Sequence, residues 1–77
     1  MWPEGLVEYC GQEGLTPLFH EKWVACKATL NFYIATSKDS GLVYVFDDYE
    51  LVNVFLSLEE FNSIVGKYEK FFTRVAY

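Results

Sequence analysis

The side chains with the most chemical potential are few. His20 is the single histidine and stands beside Glu21, and the two cysteines are Cys10 and Cys26. An imidazole titrates near neutral pH and can act as a general base. A cysteine next to one can act as a nucleophile. No family signature surrounds either cysteine. Cys10, His20 and Cys26 also lack the close paired spacing of structural zinc ligands. Cys26 falls on the strand face assigned to the core below, so the cysteines read as small buried apolar residues. Gly5, Gly11, Gly14, Gly41 and Gly66 match no phosphate-cradling loop. The expectation is a chain with no catalytic residue, no metal ligand and no cofactor.

Asp47, Asp48 and Glu50 form the one acidic cluster. Clustered carboxylates can do acid–base work or hold a hard cation. In a tight turn, however, aspartate is expected on conformational grounds alone. The functional reading of the cluster is a negative knob, with Tyr49 in its middle, presented to a basic partner. Eleven acids against six bases give a net charge of −5. That balance argues against nucleic acid and anionic membrane, whose phosphates attract Lys and Arg. It fits a basic protein partner, and equally a chain kept soluble by its charge.

Fifteen of the 77 residues are aromatic, too many for so small an interior to enclose completely. Trp2, Trp23, Tyr33, Tyr49 and Tyr77 are left over once a helix–sheet core is filled with Phe32, Tyr44, Phe46, Phe55, Phe61, Tyr68, Phe71 and Phe72. Trp and Tyr combine large apolar area with a polar handle and concentrate at interface hot spots. Trp23, Tyr33, Asp47, Asp48, Tyr49 and Glu50 are therefore the candidate binding residues. A sheet face bearing Trp23, Tyr33, Val43 and Val45 needs a cover: residues 1–20, a second copy of the chain, or a target.

The elements that position these residues follow from periodicity. Ser57-Leu58-Glu59-Glu60 reads as a capping box. Leu58, Phe61, Ile64, Val65, Tyr68, Phe71, Phe72 and Val75 then recur at helical spacing, predicting a C-terminal helix over 57–75. Lys22 to Thr36 alternates with period two, which predicts one long strand. Lys38-Asp39-Ser40-Gly41 is a turn, and Leu42–Phe46 a second strand closing a hairpin. A three-residue loop with Gly41 left-handed is favoured, placing Ile34 and Phe32 on one face with Tyr44 and Phe46. A four-residue loop would instead set Phe32 opposite Asp47. Residues 51–56 read as a third strand, with a helix from about 48 to 75 as the rival. Leu6–Cys10 fits either a short strand or a helical turn.

The fold expected is a single α+β domain over 1–77. It has a three- to four-stranded antiparallel meander with one C-terminal helix packed on one face. Neither a secretory leader nor a membrane span of roughly 20 apolar residues is evident, so the cytoplasm, of a host cell if the protein is viral, is the expected compartment. The function expected is non-enzymatic: a small acidic protein that occludes a surface of a protein target. In size and charge alone it is similar to phage-encoded inhibitors of host enzymes and defence systems, such as anti-restriction and anti-CRISPR proteins. The alternatives are a homodimeric assembly module and a small Cys/His enzyme.

Overall fold

The computed structural model describes residues 2–48 and 50–77. Along the chain come α1 (Glu4–Gln12), β1 (Leu15–Val24), β2 (Thr29–Ser37), β3 (Val43–Asp47), β4 (Glu50–Phe55), α2 (Leu58–Gly66), a 3-10 turn at Glu69–Phe71 and β5 (Thr73–Ala76). The strands form one antiparallel sheet in the order β4-β3-β2-β1-β5. The α+β class and an antiparallel sheet with a helix packed on one face are as the sequence predicts, whereas the strand count and boundaries differ. Among the described residues a fifth strand and a second helix are added, and each helix takes one face of the sheet.

The predicted long strand from Lys22 to Thr36 is instead the hairpin of β1 and β2. The Ala25 N–H donates to the Ala28 carbonyl at 2.9 Å and closes a turn around Cys26-Lys27. No Gly, Pro, Asn or Asp marks the turn, so the alternation runs through it without interruption. Cys26 is consequently exposed, not in the core. Beyond a register shift between Pro17 and Phe19, the pairing sets odd residues of β1 opposite even residues of β2: Trp23 faces Leu30, and His20 faces Tyr33. Trp23 and Tyr33, expected on one face, therefore point to opposite sides of the sheet.

The β2–β3 connection adopts the four-residue loop. Phe32 pairs with Asp47 and Thr36 with Val43, so Val43 and Val45 share a face with Ile34, while Tyr44 and Phe46 share one with Tyr33. Side-chain hydroxyls in and around the loop select this length. Ser37 Oγ accepts from the Ser40 N–H, Ser40 Oγ accepts from the Leu42 N–H, and Thr36 Oγ1 donates to the Leu42 carbonyl. Gly41 takes the left-handed conformation expected of it, at φ +74°.

Strand β4 and the start of α2 lie where the sequence puts them. Ser57 is the N-cap, its hydroxyl accepting the Glu60 N–H at 3.1 Å. The helix stops at Gly66 instead of running to 75. The Lys67 and Tyr68 amides bond back only three residues, to Ile64 and Val65, and the chain tightens into the 3-10 turn. It then returns as β5 along β1. That return covers one otherwise open sheet edge and gains two contacts a longer helix would forfeit. Phe72 stacks on Trp23 with ring centres 4.4 Å apart, and Arg74 pairs with Glu21. The cost is that Phe71 and Tyr68, expected in the core, stay exposed.

Residues 4–12 take the helical option. The Leu6 and Val7 amides both donate to the Pro3 carbonyl, and Gly14 at φ +70° turns the chain into β1. Leu6 and Cys10, one helical turn apart, pack on Leu15, Tyr33, Ala35 and Phe46. Trp2 meets the Tyr33 ring edge-on at 5.3 Å. The N-terminal segment is thus the cover of the Tyr33 face. The second core lies under α2, where Ile34, Val43, Val45 and Phe55 meet Phe61 and Val65.

Candidate functional site

Because α2 ends at Gly66, it does not span the sheet beneath it. An open groove of about 390 Å³ remains beside the helix, walled by Trp23, Phe32, Val45, Phe55, Phe61 and Tyr68. Val52 and Asn53 of β4 form its outer wall, and Asp47 lies at its rim. The walls are almost wholly apolar, as in sites that take an apolar side chain or ligand and fix it with a few polar groups.

Trp23 is held rigidly for a half-buried residue. Its ring lies between Phe72 and Phe32, each with its ring centre 4.4 Å away, and its indole N–H donates to Glu21 Oε1 at 3.0 Å. A ring already fixed by neighbours loses little further freedom on binding. Glu21 in turn receives Arg74 in a two-pronged pair, Nη2 to Oε2 at 2.6 Å and Nε to Oε1 at 3.1 Å.

Of the sequence candidates, Trp23 and Asp47 come together at the groove. Tyr33 does not: it is 6% exposed on the other face, under Trp2 and against His20. Asp48 is exposed at the β3–β4 turn with φ +54°, a left-handed conformation that Asp tolerates better than most residues. Glu50 opens β4 opposite Asp47 on the groove side. Tyr49 lies outside the described residues. Val52, Asn53 and Tyr68 were missed. The signal that marks Val52 is the register slip in β4 that leaves it without a partner on β3, and periodicity does not reveal such a slip.

Comparison with family models, curated proteins and solved structures finds no match for this chain.

The charge of the site is one-sided. From Asp39 to Gly66 the chain carries Asp39, Asp47, Asp48, Glu50, Glu59 and Glu60 and no Lys or Arg. Among the described residues, ion pairs are made by Arg74 alone, with Glu21 and Glu69, so the acids around the groove have no cation of their own. The sheet therefore has an acidic side, from β3 through β4 to the start of α2.

The potentially reactive residues lie elsewhere. Cys10 is fully buried on the inner face of α1, and burial pushes its thiol up, away from the thiolate a nucleophile needs. His20 is 8% exposed and sits between the rings of Tyr33 and Tyr77, stacked at 4.4 and 4.7 Å. Its Nε2 meets Asn31 Oδ1 at 3.2 Å, and among the described residues Nδ1 has no hydrogen-bond partner. Among those residues no three His, Cys, Asp or Glu side chains converge on a common point. Among the described residues no helix is long and apolar enough to cross a membrane.

Proposed function

We propose that this chain is a non-enzymatic protein-binding protein, an inhibitor or regulator that acts by covering a surface of its target. The observation that carries the reading is the apolar groove with Asp47 at its rim on an acid-only stretch of the chain. A rigid tryptophan at the wall of a groove is the kind of anchor on which interface energy concentrates. Unpaired acids around it favour a target surface rich in Lys and Arg, of the sort that otherwise binds nucleic acid. Size and acidity alone support placing it beside phage-encoded host antagonists of the anti-restriction or anti-CRISPR kind.

The test is affinity capture from host lysate with the wild-type chain and with a Val52→Lys, Tyr68→Ala double variant. Both positions line the groove and are exposed, so the fold survives the change. A partner retained by the wild type and lost by the variant supports the reading. A partner retained equally by both removes the groove from it.

A second reading, a homodimeric assembly module, rests on β4. It is a sheet edge whose Leu51, Val52 and Val54 are exposed, and such an edge invites pairing with another copy. Light scattering during size exclusion separates the two, since a dimer that survives dilution favours the assembly module.

A further inference from the structure

We infer that the partner enters as an extended segment that adds a strand to β4, with an apolar centre flanked by Lys or Arg. The inference rests on the protein-binding reading above and specifies the mode and chemistry of binding. Three observations carry it.

First, the groove and the sheet edge are continuous. Val52, Asn53 and Phe55 belong both to the edge strand and to the wall of the groove. A strand laid along β4 directs alternate side chains to the α2 side, where the groove can receive them. A docked helix would leave the backbone groups of this edge unused.

Second, apart from the register slip at Val52, β4 has little of what protects sheet edges. It carries no Pro and no Lys, and Leu51, Val52 and Val54 are exposed along it, followed by Leu56 at 73%. The opposite edge, β5, is shorter and holds Arg74, already engaged by Glu21 and Glu69. On β4 one amide, that of Val54, is occupied by the Asn53 side-chain oxygen at 2.8 Å, which satisfies it until a partner carbonyl replaces it.

Third, charge brackets the strand. Asp47, Asp48 and Glu50 lie at its start, and Glu59 and Glu60 follow its end in the first turn of α2. Between these two acidic ends the exposed residues are mostly apolar (Leu51, Val52, Val54, Leu56 and Leu58), with the uncharged Asn53 and Ser57 among them. The complement is a segment with basic ends and an apolar middle. A second copy of this chain offers the reverse, since it would bring another acid-only stretch to the same place.

Selection from a display library of random short peptides tests the proposal, followed by titration of the winners against the folded chain. The expected winners carry two apolar residues at i and i+2 with Lys or Arg outside them. Replacing those bases by Glu weakens binding at least about tenfold, and added salt weakens it further. Backbone N-methylation at alternate residues of a winning peptide abolishes binding on one register and spares it on the other, and β4 amides gain protection from hydrogen exchange. Winners with apolar residues at i and i+3 or i+4, or indifference to N-methylation in both registers, overturn strand addition while leaving protein binding intact, and winners without basic residues overturn the charge complement. Self-association that protects β4 in the absence of peptide assigns the edge to a second copy. Absence of any winner, together with no groove-dependent capture from lysate, overturns both readings.

Discussion

Arg74 and Glu21 stand 53 residues apart in the chain and meet side by side on the α2 face, with two hydrogen bonds of 2.6 and 3.1 Å. A third arm of the guanidinium reaches Glu69 at 2.8 Å. Burial works against the Arg74 charge, but the bonds and charges of Glu21 and then Glu69 outweigh it and hold the group above its usual value. The Glu21 side chain is the more buried of the pair, 8% exposed against 21%. Arg74→Met, which leaves that carboxylate uncompensated, is expected to cost roughly 2–4 kcal/mol. Glu21→Gln added to it should restore part of the loss. Urea unfolding of the two single variants and the double variant measures both, and equal stability of Arg74→Met and wild type would show that the pair fastens nothing.

The two glycines of most interest should respond in opposite directions to alanine. Gly41 sits at φ +74° with open space around it, so Gly41→Ala is expected to lose about 1 kcal/mol from backbone strain alone. Gly66 ends α2 without a positive φ and also has open space, so Gly66→Ala should gain up to about 1 kcal/mol. Thermal unfolding followed by circular dichroism reads both shifts.

Ser57→Ala removes the side-chain acceptor of the Glu60 amide at the start of α2. The expected cost is about 1 kcal/mol. Ser57→Asp should keep most of the stability, because a carboxylate caps as well as a hydroxyl and complements the helix dipole. Chemical denaturation distinguishes the two substitutions.

The cysteines should differ sharply in reactivity. Cys26 in the β1–β2 turn is expected to react with a thiol reagent in the native protein, whereas Cys10 reacts only as fast as the chain unfolds. The Cys10 thiol is raised above its ordinary value of 9.0 by burial. A raised folded value means that the unfolded chain releases this proton first, so the contribution of this thiol is constant well below pH 9.0 and falls as the pH rises beyond it. Cys10→Ala should flatten that alkaline decline relative to wild type, while lowering stability near neutral pH by the loss of packing.

The parts of this fold that were legible in the sequence are those with local causes. The Ser57 cap, the left-handed Gly41 and the strand before α2 each follow from a few adjacent residues. What the sequence hides is where a periodic run is cut. The turn at Cys26-Lys27 has no breaker residue, and it sends Trp23 and Tyr33, expected on one face, to opposite faces of the sheet. Beyond Gly66 the helical spacing of Phe71, Phe72 and Val75 continues, yet pairing with β1 and the Arg74–Glu21 contact outweigh it. Those gains are tertiary and cannot be read from a window of sequence. The candidate site was legible in the same proportion: Trp23 and Asp47 reach the groove because their types suit it, and Val52 escaped because a register slip sets its position.

The return of β5 to β1 also has a kinetic meaning. Sheet pairs from β1 to β4 are hairpins that close short loops, whereas Glu21 meets Ala76 across most of the chain. Closing the longer loop costs more entropy before any contact rewards it, so the hairpins assemble first and the last strand docks onto a sheet already formed. Substitutions in β5 should then accelerate unfolding and leave the refolding rate almost untouched, and a stopped-flow chevron of Arg74→Met would show the whole change on its unfolding arm.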